Sequence, residues 1–198
     1  MVGDVPLDEV SSAAHKAMRR GEQLDAAYWI RHLVVHGFGK YAAKKLAIVA
    51  AEDVGLGDPQ AVVLANALLD MAVRITGKAN PTGDDLRAAE LHLVGAAVVL
   101  ARARHNRLLA EVTCLAAFRA KHGPRPEIPT YALDVHTRRG RAAGLRRGSR
   151  DAVEFWKAHS RVVANEVVLD DDATKKALDA AWEVDPTIGF VHAEPEET

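Results

Sequence analysis

Nine histidines among 198 residues raise the question of metal chemistry. Zinc and di-iron sites need imidazoles and carboxylates repeated at helical spacing, as in His-Glu-x-x-His or paired Glu-x-x-His. Neither string occurs. His32 and His36 are four apart and fit one helix face, but no carboxylate or thiol stands near enough in sequence to complete a ligand set. Glu90-Leu91-His92 would hold its two side chains about 200° apart on a helix. No metal and no cofactor is expected. Asp134-Val135-His136 supplies an acid and a base on an irregular stretch, where catalytic groups often sit. No nucleophile adjoins them, and a structural role for Asp134 and His136 ranks ahead of catalysis. Gly37-Phe38-Gly39-Lys40-Tyr41 comes nearest to a phosphate cradle. It has the wrong length, lacks the magnesium-binding hydroxyl and follows a helical pattern, so it reads as a turn between helices. No enzymatic activity is expected.

Charge is unevenly distributed. The net value is −1, yet Arg138, Arg139, Arg141, Arg146, Arg147 and Arg150 crowd a stretch without a carboxylate. Asp170, Asp171, Asp172, Glu194, Glu196 and Glu197 gather towards the C-terminal end. Arginines in this density bind phosphates by charge and counterion release, so DNA is the alternative partner. They also serve as a solvated loop, or pair with the acidic tail or with another subunit. Aromatic residues make up only 5%, which leaves little surface for stacking bases. Glu52 and Asp53 fall near the end of an expected helix, where the macrodipole disfavours carboxylates. That conflict predicts a lysine, an arginine, or the amides that open the helix at Asp58-Pro59 as their partners.

The elements that must carry these groups are helices. Apolar residues recur every three to four positions from Leu7 to Arg20, Gln23 to Gly37 and Gly39 to Val54. Asp58-Pro59 reads as an N-cap followed by a first-turn proline. A fourth helix follows to about Ile75, a fifth from Asp84 to about Arg104, and a sixth to about Lys121. His122-Gly123-Pro124-Arg125-Pro126 is a stop. Glu127 to Arg150 reads as irregular, anchored by Ile128, Tyr131, Leu133 and Val135. Two last helices are expected from about Arg150 to Val168 and from Asp172 to Trp182. No alternating strand pattern appears. The expectation is an all-α bundle of about seven or eight helices with one irregular Arg-rich segment. Its single domain covers residues 1–184, and residues 185–198 form an acidic, frayed tail. The lone Cys114, in an apolar run, reads as a buried thiol, and one cysteine fits a reducing compartment. The N-terminus lacks a signal-peptide pattern and no run has membrane-spanning length, so a cytoplasmic location is expected and no membrane contact.

Several strings occur in one order: Ala14-His15-Lys16-Ala17, Arg19-Arg20-Gly21, Asp25-Ala26-Ala27-Tyr28-Trp29, Ala50-Ala51-Glu52-Asp53-Val54-Gly55, Asp58-Pro59-Gln60-Ala61 and Ala65-Asn66-Ala67. This series resembles the C-terminal oligomerisation region of the replication-associated recombination protein A family, the MgsA/WHIP-type, clamp-loader-like AAA+ ATPases. The likeness is most specific over residues 14–67. The resemblance implies a helical region that follows the ATPase and lid domains and assembles as a tetramer. It also implies work at stalled replication forks, beside a separate AAA+ ATPase, single-stranded DNA-binding protein or polymerase machinery. ATP hydrolysis is not carried over, because no P-loop is present in these residues. Tyr28 and Trp29 face about 100° apart on a helix. Trp29 is expected to anchor the first two helices, and Tyr28 to reach another surface. The alanine-rich faces at residues 61–72 and 96–103 suit tight helix packing within or between subunits.

Overall fold

A computed structural model describes residues 1–159 and 171–185. Its elements are α1 (Leu7–Arg19), α2 (Gln23–Val35), α3 (Gly39–Val49), a π-helical turn (Ala50–Val54), α4 (Pro59–Thr76), α5 (Gly83–Arg102), α6 (Leu108–His122), a 3-10 turn (Thr130–Ala132), α7 (Arg138–Ala142), α8 (Arg150–His159) and α9 (Asp171–Val184). Among the described residues the extended structure is limited to one bridge between Val2 and Val5. None of their helices is long and apolar enough to cross a membrane.

Local chemistry sets the helix boundaries. The Asp58 carboxylate accepts the Ala61 amide at 3.0 Å, with Pro59 in the first turn of α4. Such a cap satisfies one of the donors that a helix start leaves unpaired. Thr82 and Asp85 cap α5 reciprocally: the Asp85 amide donates to Thr82 Oγ1 at 3.1 Å, and the Thr82 amide donates to Asp85 Oδ2 at 2.9 Å. The Lys78 ammonium beside Asp85, together with the Thr82 bonds, lowers that carboxyl to about 2.

Helix α5 is the centre of the bundle and packs against α4, α2, α3 and α1. Ala65, Leu69 and Ala72 of α4 and Ala89, Leu93, Ala96, Ala97 and Leu100 of α5 are buried. Alanines along this pair let the two helices of a hairpin approach closely. Every member of the main buried cluster lies between Val2 and Ala103. The later helices form a thinner layer. There α6 packs on α9 and on the π-helical turn, and α8 packs on the 3-10 turn.

The structure departs from the sequence reading at several points. The third helix is α-helical only to Val49, and its last five residues widen into the π-helical turn. The segment expected to be irregular contains α7 and the 3-10 turn. Ile128 and Tyr131, expected as anchors, are exposed, while Leu133 and Val135 are half-buried. Cys114 is half-buried rather than buried, because Leu108 is the one described residue of α6 that is buried. Asp185, placed at the start of the frayed tail, is buried and accepts bonds from Lys121 Nζ and His122 Nε2, each at 2.7 Å. The remaining tail, residues 186–198, and the expected continuation of α8 to Val168 lie outside the described residues, as does Asp170.

Candidate functional site

The most concentrated polar chemistry lies where α1, the π-helical turn and the loop after α5 converge. Asp53 is completely buried. His15 and Arg19 sit four residues apart on α1, so both reach the same side of that helix. His15 Nε2 approaches Asp53 Oδ2 at 2.5 Å, and Arg19 Nε donates to Asp53 Oδ1 at 2.8 Å. Arg107 Nη2 donates to Glu52 Oε1 at 3.0 Å, with Arg107 Nε 3.6 Å from Asp53 Oδ1. Arg19 also lies 3.4 Å from Glu52. The Asp53 backbone carbonyl accepts the Asn106 amide at 2.8 Å, and Arg104 Nε donates to the Gly57 carbonyl at 2.9 Å.

These bonds answer the local conflict read from the sequence. Burial alone pushes the Asp53 carboxyl upward. The hydrogen bond and charge of His15, and then those of Arg19, outweigh it and hold the group below the usual carboxylate range. The π-helical turn ends at Gly55, whose φ of 45° and crowding against Ala51 and Asn106 carbonyls suit a residue without Cβ. The result is an ionic clasp joining three segments that are far apart in sequence.

His15, Glu52 and Asp53 also bring potential ligand atoms within 4.8 Å of one another, as a metal site would. The donor set argues against that use. Guanidinium groups of Arg19 and Arg107 already occupy both carboxylates, and a divalent cation would have to displace them. No hydroxyl or thiol nucleophile takes part in the clasp. What it does chemically is fix positions.

The His32–His36 pair is engaged elsewhere. The rings pack with centroids 4.4 Å apart. His32 Nε2 reaches the Val2 carbonyl at 3.1 Å, and His36 Nδ1 reaches the His32 carbonyl at 2.8 Å. Tyr28 is exposed and Trp29 packs on the main buried cluster, with the two rings edge to face.

The arginine segment is a separate structure. Asp134 Oδ1 accepts the His136 amide at 2.9 Å, so its carboxylate closes a turn rather than engaging the His136 ring. Thr137 Oγ1 caps α7 by accepting the Gly140 amide at 2.9 Å, and it donates to the Asp134 carbonyl at 2.9 Å. Gly140 is buried against the carbonyls of Leu133 and Asp134, where a Cβ would overlap both. Arg141 Nη1 donates to the His136 carbonyl at 2.8 Å. Arg138, Arg139, Arg141, Arg146, Arg147 and Arg150 are all exposed. Arg150 has Asp151 and Glu154 at 3.7 Å. Among the described residues, none of the other five has a carboxylate within 4 Å.

With this geometry in view, the comparison with known proteins is specific. Residues 21–176 match the family described as MgsA AAA+ ATPase C terminal. The chain belongs to this family. It is 30% identical over 131 residues to replication-associated recombination protein A of Escherichia coli K12, covering 66% of this chain and 26% of that protein. The protein of the same name from Coxiella burnetii is 28% identical over 137 residues, covering 69% of this chain and 29% of its own length. The Haemophilus influenzae relative is 38% identical over 68 residues, covering 34% of this chain and 15% of its own length. The chain thus spans roughly a quarter of the length of the first curated relatives it matches.

The MgsA C-terminal match contains Glu52, Asp53, Arg107 and the whole arginine segment, whereas His15 and Arg19 precede it. The two carboxylates and their need for a cation are legible in the sequence, but His15 and Arg19 stand out there only within the strings that carry the family resemblance, not as the partners of Glu52 and Asp53, and Arg107 does not stand out at all. The available signal was the His15–Arg19 spacing on α1, next to its buried Ser11, Ala14 and Met18.

Proposed function

We propose that this MgsA-type C-terminal domain is a non-catalytic assembly and interaction module serving a replication-associated recombination ATPase. ATP hydrolysis belongs, on this reading, to the ATPase part of such proteins and not to these residues. The single observation that carries the assembly role is the outer face of α4. Val63, Ala67 and Met71 recur at four-residue intervals and are exposed, and Leu64 widens the stripe. Val63 keeps 69% of its surface and Met71 keeps 52%, although the opposite face of the same helix is sealed on α5. An apolar stripe of that kind marks a protein–protein interface more often than a solvated surface.

The occupant on this reading is a second copy of the chain, and a homotetramer is the favoured state because the family resemblance implies one. A separate AAA+ ATPase or other replication proteins are the further partners, with action in DNA replication or repair. Light scattering at micromolar concentration tests the core of the reading. A mass above that of one chain is expected, falling to that of one chain in Val63→Glu/Met71→Glu. A monomer across the whole range for the parent chain removes the assembly role.

A further inference from the structure

The turn from Gly37 to Lys40, unfit as a phosphate cradle, lines a cavity of about 440 Å³ bounded by α2, α3, α4 and α5. The buried part of its wall is aliphatic: Ala72 of α4, with Ala89 and Leu93 of α5. Its exposed part is aliphatic too. Val35 of α2 keeps 48% of its surface, Val73 of α4 keeps 56% and Leu86 of α5 keeps 51%. Apolar groups left in water carry a hydrophobic cost that a covering ligand removes. The glycines leave room for one. A Cβ on Gly37 would meet nothing within 4 Å, and one on Gly39 would meet only Leu93 Cδ1, at 4.0 Å. A concavity of this size, walled by four helices, suits a small molecule.

The charge around this cavity has one sign to spare. Lys40 and Arg87 line it from α3 and α5. Among the described residues, neither has a carboxylate within 4 Å or a side-chain hydrogen bond. Glu90 is the one carboxylate on the lining, and Arg31 Nε donates to it at 2.7 Å. The Thr76 hydroxyl is engaged as well, donating to the Ala72 carbonyl at 2.9 Å. What remains for a ligand is an aliphatic wall and two cations.

We infer that this cavity is a binding site for a small amphiphilic anion, a carboxylate carried on an aliphatic chain. The chain lies against Leu86, Leu93 and Val73, and the carboxylate meets Lys40 and Arg87. Charge complementarity selects the head group, since a cationic head would be repelled and a neutral one would leave both cations unmatched. The wall selects the body. Among the lining residues there is no ring and no side-chain amide, so nothing stacks on or reads a nucleobase, whereas aliphatic walls accept an alkyl chain by area alone. The site stands apart from the assembly role, because none of Val63, Leu64, Ala67 and Met71 lines it.

The test is methyl-detected NMR of the full chain, labelled at its Leu and Val methyl groups and titrated with octanoate, hexanoate and octylammonium. Octanoate should shift the methyls of Val35, Val73, Leu86 and Leu93 in a saturable way and leave those of Val63 and Leu64 in place. Affinity should rise about two- to fourfold for each methylene between hexanoate and octanoate. Lys40→Glu/Arg87→Glu, two exposed changes, should weaken octanoate by about three- to tenfold and make octylammonium the better ligand. Gly39→Leu fills the cavity from the first residue of α3, where φ is not positive, and should remove binding of all three. The same spectra report the fold of each variant, and the Val63 and Leu64 methyls keep the outcome separate from that of the assembly role. No shift with octanoate overturns the inference. So do shifts spread equally over the α4 stripe, equal binding of octanoate and octylammonium by the parent chain, or octanoate binding that Gly39→Leu leaves unchanged.

Discussion

The N-terminal bundle and the later helices are built on different principles. From Val2 to Ala103 the chain buries one continuous apolar cluster around α5 and locks its rim with a fully buried carboxylate. From α6 onward, few side chains of the described residues are sealed from water: Leu108, Ala152, Thr174, Ala181 and Asp185. The first region derives its rigidity from packing that a single change disturbs. The second is held by turns, caps and isolated ion pairs, and leaves rings and guanidinium groups facing outward. Local opening should therefore begin in the later helices, where less apolar surface has to be exposed to water.

The sharpest way to break that contrast is to strip the clasp of its cations. His15→Ala/Arg19→Ala leaves the Asp53 carboxylate buried beside Arg107 alone, at 3.6 Å. Removing the partners of a buried charge costs about 3–5 kcal/mol, and urea unfolding should show a destabilisation of that size. A change under about 1 kcal/mol would mean that water or a rearranged Arg107 solvates Asp53 readily. Asp53→Asn should cost less, about 1–3 kcal/mol, because the cations it abandons are partly exposed and can turn to solvent.

Acid titration sharpens the same point. The folded Asp53 carboxyl lies below its ordinary value, so the unfolded chain takes up the proton first. Its stabilisation is fully present above the unfolded value of about 3.9 and is lost as pH falls through the folded value. One such group gives a slope of at most about 1.4 kcal/mol per pH unit. Part of the fall in stability below about pH 4 should vanish in Asp53→Asn. Superimposable acid limbs for the two proteins would contradict the clasp geometry.

The smallest effect is expected in the outer layer. Arg146→Ala/Arg147→Ala removes side chains without hydrogen bonds among the described residues, so stability should change by no more than about 0.5 kcal/mol. Hydrogen exchange should show α5 amides protected far longer than those of α7 and α8. Equal protection would erase the distinction between the two regions.

Much of the helical order was legible along the chain. Asp58-Pro59 announces the start of α4 because proline needs no amide partner there and aspartate supplies an acceptor. The alanine-rich stretches of α4 and α5 declare a close helix pair for the same local reason: small side chains leave little to keep backbones apart. Trp29 and Tyr28 divide between core and surface, as their angular separation requires. Ile128 and Tyr131 were misleading because apolar character alone does not say whether a neighbour exists to cover them. Cys114 is a similar case, since its apolar run belongs to a helix with one buried side chain.

Interactions within a few residues thus dictate the class of fold, the helix starts and stops, and the presence of two carboxylates in an electrostatically awkward place. All of these can be read along the chain. Tertiary structure alone decided who resolves the conflict. His15 and Arg19 lie 38 and 34 residues before Asp53, Arg107 lies 55 after Glu52, and no local pattern links them. It also decided that the helix widens into a π-helical turn at Ala50–Val54 and that Tyr131 and Trp156 stay exposed on two elements that pack together. Partners so distant along the chain meet only after the core has packed, because packing, not local propensity, fixes the distances between them.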